Sequence, residues 1–273
     1  MKPVAFDYAR PESVAAAIKF LAESKGAAKV IAGGQSLGPM LNLRLAQPAL
    51  IVDIGRIPEL NAIRDTQDGF VLGSCVTHAA VEDGEVPEFT QGFMREVAAG
   101  IAYRAVRNRG TIGGSVCHAD PAADWVSALM LLSAFAMTEG PGGRREIRID
   151  QFVTGAFSTQ LGPAEILVGI RIPRMSPRAR WSYCKLCRKP GEFAEAIGAM
   201  LSDDEAGICR AVIGATNGVP HLIEDARFMA GRYDAGRGLA ALEAAGVAQD
   251  PYEMQIHHAV LKRAASQLGA VRS

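Results

Sequence analysis

Apolar positions along the chain switch between helical and strand-like spacing. Val14, Ile18 and Leu21 recur three or four residues apart after Pro11, which predicts an amphipathic helix over 11–25. Short apolar runs predict strands between further helices. These strands are predicted at Lys29–Ala32, Ala49–Ile54 and Gly69–Cys75, and these helices at Glu88–Ile101 and Pro121–Leu132. The first part of the chain therefore mixes α and β elements.

Strand-like runs are more frequent in the rest of the chain. The proline- and arginine-rich segment 173–180 carries no apolar pattern, which predicts a domain boundary within it. The predicted domains are residues 1–177 and a C-terminal domain of residues 178–273. The larger domain is expected to have two subdomains, of about 1–57 and 58–177. Strands are predicted at Phe135–Thr138, Arg145–Ile149, Glu165–Ile172, Arg180–Leu186, Ala194–Leu201 and Gly207–Ala215, and two last helices at His221–Ala230 and Pro251–Gln267.

Two glycine pairs, Gly33-Gly34 and Gly113-Gly114, are the most informative local feature. A residue without a Cβ accepts positive φ and lets a ligand approach the main chain, so that successive N–H groups can bind one anion. One such pair is more often a simple turn. Two pairs about 80 residues apart, the second in a loop predicted over Gly110–Ser115, predict the two walls of a diphosphate pocket. Ser36, Thr111 and Ser115 would add hydroxyl groups to it.

The role of Asp124 stays open at this level. Its carboxylate lies near the start of a predicted helix, where it either caps the helix or accepts from a ribose or ribityl hydroxyl. The cluster Arg104, Arg107 and Arg109 is equally ambiguous, because it is either a solvated helix end or a contact for phosphates or a partner subunit. The first glycine segment differs from G-x-G-x-x-G, which disfavours a Rossmann site.

Charge and hydropathy exclude several classes of protein. The 29 basic and 29 acidic residues balance, so nothing favours nucleic acid or an anionic membrane as a partner. No uninterrupted apolar stretch of about 18 residues could span a bilayer, and the first residues lack the apolar core of a signal peptide. We therefore expect a cytoplasmic protein without a membrane span.

The five cysteines predict reduced thiols, because their number is odd and their spacing irregular. Cys184 and Cys187 could chelate a metal, but the surrounding run WSYCKLC predicts a strand, in which residues three apart point to opposite faces. Cys117, His118 and Asp120 alone supply too few ligands. We expect no metal and no iron–sulfur cluster on this chain.

The sequence contains no G-x-S-x-G motif and no isolated acid–base pair, so we expect no catalytic residue. This absence favours a protein whose reactive chemistry belongs to a bound cofactor.

Four motifs in order, AGGQSLGPMLNLRLAQP, TIGGSVCHADPAADW, EILVGIRIP and YCKLCRKPGEFA, resemble the FAD-binding medium subunit of the molybdenum hydroxylases, the xanthine dehydrogenase and carbon monoxide dehydrogenase family. The resemblance covers essentially the whole chain. It implies an α+β fold: a vanillyl-alcohol-oxidase-type FAD-binding fold of two subdomains over 1–177, followed by a C-terminal α+β domain with a small antiparallel sheet and helices.

The resemblance also implies the cofactor contacts. The FAD pyrophosphate would lie against 32–37 and 111–115, Asp124 near the sugar or ribityl part, Leu167 near the adenine, and Lys185 near the isoalloxazine. The implied cofactor-binding residues are Ala32, Gly33, Gly34, Gln35, Ser36, Leu37, Ala102, Thr111, Gly113, Gly114, Ser115, Asp124, Leu167, Lys185 and Phe193.

Two of these residues depart from the pattern of the family. Gln35 stands where many relatives have histidine, and Phe193 stands where relatives commonly place a tyrosine beside the flavin. A phenylalanine keeps the aromatic contact and loses the hydroxyl. The alternative for Phe193 is an ordinary core aromatic of the C-terminal domain.

By resemblance, the chain is the FAD-carrying electron-transfer subunit of a three-component complex. A large molybdopterin subunit and a small [2Fe-2S] subunit would be its partners, in a dimer of heterotrimers, and an external acceptor would take the electrons. The alternatives are a self-sufficient flavin oxidase of the same fold and a non-catalytic nucleotide-binding assembly protein.

Overall fold

The computed structural model describes residues 2–230, 233–247 and 250–270. The helices in these residues are α1 (Val14–Glu23), α2 (Leu37–Asn42), α3 (His78–Glu82), α4 (Phe93–Ala99), α5 (Arg104–Arg107), α6 (Ile112–His118), α7 (Asp124–Leu131), α8 (Ile149–Phe152), α9 (Ala235–Ala244) and α10 (Pro251–Ala270). The strands are β1 (Asp7–Ala9), β2 (Ala28–Ile31), β3 (Leu50–Asp53), β4 (Ile63–Thr66), β5 (Gly69–Gly73), β6 (Phe135–Gly140), β7 (Gly143–Arg148), β8 (Val153–Gly155), β9 (Ser158–Thr159), β10 (Ile166–Ile172), β11 (Arg180–Leu186), β12 (Ala196–Asp203), β13 (Ile208–Gly214) and β14 (His221–Ile223). The fold is mixed helix and sheet, as predicted.

The first sheet is parallel, with strand order β1-β3-β2. Helix α1 connects β1 to β2 and begins after Ser13, whose side chain accepts a hydrogen bond from Ala16 N. Its buried positions, Val14, Ala17 and Leu21, form one apolar stripe against the sheet. The predicted helix and both predicted strands are confirmed here.

The second sheet is antiparallel, with strand order β4-β5-β10-β6-β7. Its strands β5 and β10 are almost entirely buried, which matches their continuous apolar sequences. Helices α4, α6 and α7 cover the sheet and share its largest hydrophobic core, in which Trp125 and Phe93 are fully buried. Strand β4 was not predicted, because the polar sequence of 63–66 lacks a strand pattern.

The third sheet is antiparallel, with strand order β11-β12-β13-β14. It lies between α10 on one face and α7 on the other. A glycine allows the close approach on each side: a Cβ on Gly198 would lie 2.7 Å from Leu261 N of α10, and a Cβ on Gly214 would overlap the Ser127 hydroxyl of α7. The sheet therefore fixes α7 relative to β11.

Three of the predicted segments differ from the structure. The helix predicted over His221–Ala230 is wrong: residues 221–223 form β14, because backbone pairing with β13 outweighs local helical spacing. Residues after it lead to α9, which was not predicted. The helix predicted from Glu88 begins only at Phe93, after Gln91 and Gly92, which both have positive φ. The loop predicted over Gly110–Ser115 is partly wrong, because α6 begins at Ile112.

Strand β11 confirms the strand predicted for WSYCKLC. All five cysteines carry free thiols. Among the described residues, no group of His, Cys, Asp or Glu has the arrangement of a metal site. No helix of the described ranges is long and apolar enough to cross a membrane.

We predict that Gly198→Ala destabilises the chain by about 1–3 kcal/mol, because the added methyl group collides with the backbone of α10. Chemical denaturation at equilibrium measures the free energy of unfolding. Gly218→Ala is the matched control, since no atom lies within 4 Å of the point where its Cβ would be, and it should change stability by no more than about 0.5 kcal/mol. Equal stabilities of the two variants would contradict the close packing of α10 on β12.

Candidate cofactor site

One cleft of about 460 Å³ is lined by residues from all three large sheets. Its walls come from the segment between β2 and α2, from the start of α6 and α7, and from β11 with the loop that follows. Every residue predicted to bind the cofactor lines this cleft, although these residues are spread from position 32 to position 193. Its volume falls in the range of about 300–1,000 Å³ that is usual for small-molecule sites.

The first glycine segment offers free main-chain donors. Gly34 has a φ of 74°, and the N–H groups of residues 33–36 donate to no acceptor within the described part of the chain. The Gln35 side chain is exposed and donates to Gly33 O at 3.3 Å. The Ser36 side chain forms no cap on α2, which leaves its hydroxyl available.

The second glycine segment is different, because its N–H groups are already used. Thr111 caps α6 and accepts from Gly114 N through its side chain and from Ser115 N through its carbonyl. Ile112 N donates to Val76 O, and Gly113 N donates to Ser74 O. The expectation that both pairs offer amides to an anion is therefore wrong for this pair, which presents the bare surface of Gly114 and the Ser115 hydroxyl instead.

The two glycine segments, residues 32–37 and 109–115, contact each other. A Cβ on Gly33 would overlap the carbonyl oxygen of Arg109 and lie 2.9 Å from Gly110 Cα. We call this line of contact the glycine seam. The absence of a side chain at Gly33 thus serves packing between the segments as well as access to the cleft.

A buried ion pair lies at the other end of the cleft. Asp124, 5% exposed, accepts from Lys185 Nζ and from the Tyr183 hydroxyl, each at 2.8 Å. Lys185 Nζ also donates to Gly100 O at 3.3 Å. Residues i and i+2 of a strand share a face, so β11 presents both donors to α7. Asp124 is not the cap of α7, because that position belongs to Ala123.

Burial is the main influence on the titration of this carboxyl group. Burial raises the pKa of Asp124, and the opposing effects of Lys185 and the Tyr183 hydrogen bond offset only part of this rise. Burial also raises the pKa of Tyr183 well above its usual value. Tyr183 was not among the predicted residues; its position two residues before Lys185 in a strand was the available signal.

The loop before α5 carries Ala102, which has a φ of 44° and lines the cleft. Arg107 holds this loop by donating to Ile101 O at 2.9 Å and to Ala102 O at 3.0 Å, and it pairs with Glu82 at 2.7 Å. The Arg107 side chain is only 12% exposed. The interpretation of the arginine cluster as a solvated helix end is therefore wrong for Arg107.

Arg104 also forms ion pairs, with Glu82 and Asp83, so two of the three clustered arginines serve the local fold. Arg109 differs, because it is exposed and its Nε lies 3.5 Å from Gly33 O at the glycine seam.

Phe193 and Leu167 both line the cleft, but their side chains differ widely in solvent exposure. Phe193 is 65% exposed, which excludes the ordinary core aromatic considered from the sequence. Leu167 lies in β10 and is buried in the main core.

Comparison with known proteins decides the family. Residues 4–175 match the family model described as the FAD binding domain in molybdopterin dehydrogenase. The chain belongs to this family. It is therefore an FAD-binding subunit of the dehydrogenase type, and the resemblance noted in the sequence is confirmed.

Relatives of this molybdopterin dehydrogenase FAD subunit are similar over most of its length. The caffeine dehydrogenase subunit beta of Pseudomonas sp. (strain CBB1) is 38% identical over 202 residues, 74% of this chain and 68% of the relative. The carbon monoxide dehydrogenase medium chain of Hydrogenophaga pseudoflava is 39% identical over 201 residues, 74% and 70% of the two chains. A solved carbon monoxide dehydrogenase of that organism, lacking the Mo-pyranopterin moiety, aligns with a TM-score of 0.88, 32% identity and 99% coverage of both chains.

We predict that Lys185→Met makes the stability of the FAD subunit fall more steeply as pH rises. Loss of the cation raises the pKa of Asp124 further, so the folded chain holds this proton above the pH at which the unfolded chain releases it. Stability is then highest below the unfolded pKa and decreases as pH rises through the folded one. At pH 8 the loss should approach about 3 kcal/mol, and it should be smaller at pH 5.

Denaturant unfolding at the two pH values measures this effect. Lys189→Met is the control, because Lys189 is exposed in the loop after β11. An identical pH dependence in Lys185→Met and in the unmodified chain would refute the assigned ion pair.

Proposed function

We propose that the chain is the FAD-carrying electron-transfer subunit of a molybdenum hydroxylase complex, which takes electrons from a [2Fe-2S] subunit and passes them to an external acceptor. The observation that carries the proposal is the convergence of the predicted residues on one cleft that combines free main-chain donors with an apolar wall. Family membership supports FAD as the ligand, and the lining of the cleft supports this cleft as the site where it would bind.

Polar groups in the cleft fit a dinucleotide. The N–H groups of residues 33–36 lack acceptors within the described residues and can donate to phosphate oxygens. Ser74 lines the cleft, and its buried hydroxyl has no hydrogen-bond partner among the described residues. A buried hydroxyl without a partner is costly, and a bound polar ligand removes this cost.

The residues divide by the part of FAD that they would hold. Gly33 to Ser36 would hold the diphosphate from one wall, with Gly114 and Ser115 opposite. Leu167 would give the adenine an apolar surface. Lys185, Ala102 and Phe193 would surround the isoalloxazine, and Asp124 would keep Lys185 in position while accepting from the sugar or ribityl part.

FAD, when bound, supplies the ability to accept and release electrons. The chain itself supplies binding, orientation and a protected environment. The Arg107 side chain stabilises the loop of Ala102, and the buried pair of Asp124 and Lys185 keeps a charged group at the cleft without exposing it fully to water. This division agrees with the expectation that no side chain of this chain is catalytic.

The proposal includes the assembly of the complex. Its partners would be a large molybdopterin subunit and a small [2Fe-2S] subunit, in a dimer of heterotrimers. The relatives carry the names subunit beta and medium chain, which supports an assembly of several different subunits. We also propose the vanillyl-alcohol-oxidase-type division into 1–57 and 58–177, with a C-terminal domain over 178–273. The three large sheets span 7–53, 63–172 and 180–223, which supports these limits.

We predict that Ser115→Asp weakens FAD binding at least about tenfold, because its carboxylate would face the diphosphate. Ser115 lies in the first turns of α6, where an acidic residue does not disfavour the helix. Ser115→Asn is the neutral control of nearly equal size and should bind within a few-fold of the unmodified chain. Fluorescence titration of FAD with the purified chain measures the dissociation constants.

Two results would count against this placement. Equal affinities of the Asp and Asn variants would remove the diphosphate from this wall. An unmodified chain that takes up no FAD would overturn the proposed function.

We further predict that the tagged chain, purified from its native host, brings iron and molybdenum with it in constant ratio through gel filtration. Metal analysis of the fractions, with identification of the co-eluting polypeptides by mass spectrometry, measures this. FAD without either metal in the fractions would favour a self-sufficient flavoprotein over a subunit of a complex.

A further inference from the structure

A buried histidine in the lining of the cleft has no role in the proposed site. His78 lines the cleft, is 5% exposed and was not among the predicted residues. It is the first residue of α3, after the cap Thr77, whose side chain accepts from Ala80 N. Its own N–H donates to Gly110 O at 2.9 Å. A main-chain hydrogen bond thus joins His78 to Gly110, near the start of the second glycine segment.

The imidazole of His78 is held in one tautomer. Trp125 Nε1 lies 3.0 Å from His78 Nδ1, and an indole N–H can only donate. Nδ1 must therefore accept, and the proton of the neutral ring is on Nε2. Burial, together with the nearby charge of Arg107, lowers the pKa of His78 to about 4, so the ring is neutral at physiological pH.

The protonated nitrogen lies at the glycine seam. A Cβ on Gly110 would lie 2.8 Å from both Nε2 and Cδ2 of His78, so the absence of a side chain there makes room for this edge of the ring. Gly110 in turn contacts Gly33. His78 Nε2 forms no hydrogen bond with any residue that the structure describes. A nearly buried N–H without an acceptor among the described residues thus lies beside Gly110, in the lining of the cleft.

We propose that His78 is a further cofactor-binding residue, whose Nε2–H donates a hydrogen bond to an FAD oxygen at the glycine seam, with Trp125 as the residue that fixes its tautomer. The inference rests on the proposed function, since it needs the dinucleotide in this cleft. The acceptor is an oxygen of the diphosphate or of the ribityl chain that is attached to it. A neutral donor suits either acceptor and adds no charge to the cleft.

The test compares FAD dissociation constants of the full chain and three variants by fluorescence titration. His78→Leu removes the donor, whereas His78→Gln keeps an N–H near the position of Nε2. His221→Leu is the control, because His221 lies on β14 and is not part of the cleft. We expect His78→Leu to bind FAD about tenfold more weakly if the acceptor is a phosphate oxygen, and about threefold if it is a ribityl hydroxyl. The Gln and control variants should bind within about twofold of the unmodified chain.

A second measurement does not depend on the folding of any variant. In the unmodified chain, ¹⁵N NMR should show the proton of His78 on Nε2, and this resonance should shift when FAD saturates the site. The ³¹P resonances of bound FAD should differ between the unmodified chain and His78→Gln if the acceptor is a phosphate oxygen, and should coincide if it is a ribityl hydroxyl.

Two outcomes separate this inference from the proposed function. If the unmodified chain binds FAD while His78→Leu binds equally well, or while the Nε2–H resonance does not change on saturation, the role of His78 is refuted and the proposed function stands. If the unmodified chain binds no FAD, the proposed function fails and the role of His78 fails with it.

Discussion

The buried carboxylate of Asp124 is the constraint on which the cleft depends. A charged group that is removed from water needs partners, and here both partners come from β11, 59 and 61 residues further along the chain. The first turn of α7 is thereby fixed against the C-terminal sheet. Lys185 and the loop that carries Phe193 belong to that sheet and its connections, so this contact places the third wall of the cleft opposite the glycine segments.

Steric constraints act together with this electrostatic one. The third sheet lies between α7 and α10, and Gly214 and Gly198 let the two helices approach its opposite faces closely. The sheet therefore has little freedom to move relative to α7. A cofactor site assembled from three sheets needs this kind of support, because its binding groups must keep their geometry before the ligand arrives.

Some features of this site can be predicted from the sequence, and others depend on contacts between residues far apart in the chain. The glycine pairs, the buried strands and the family motifs are local signals, and they led to the cleft. The interactions that orient the side chains are not local: Trp125 contacts His78 across 47 residues, and Tyr183 contacts Asp124 across 59. Strand β14 was mistaken for a helix for the same reason, because its conformation depends on pairing with β13. The use of the Gly113 amide inside the fold likewise depends on a distant residue, Ser74, whereas the cap by which Thr111 accepts from Gly114 N is local.

The two glycine segments, which look alike in sequence, differ in how complete they are without a ligand. The amides of residues 112–115 have acceptors in the chain itself, whereas those of residues 33–36 have none among the described residues. One wall is therefore a finished part of the fold, whereas the main-chain donors of the other can be satisfied only by water or by a ligand. Binding of a ligand should therefore slow hydrogen exchange at the main-chain amides of residues 33–36. The amides of residues 112–115 should exchange at the rate set by the folded domain, with or without the cofactor.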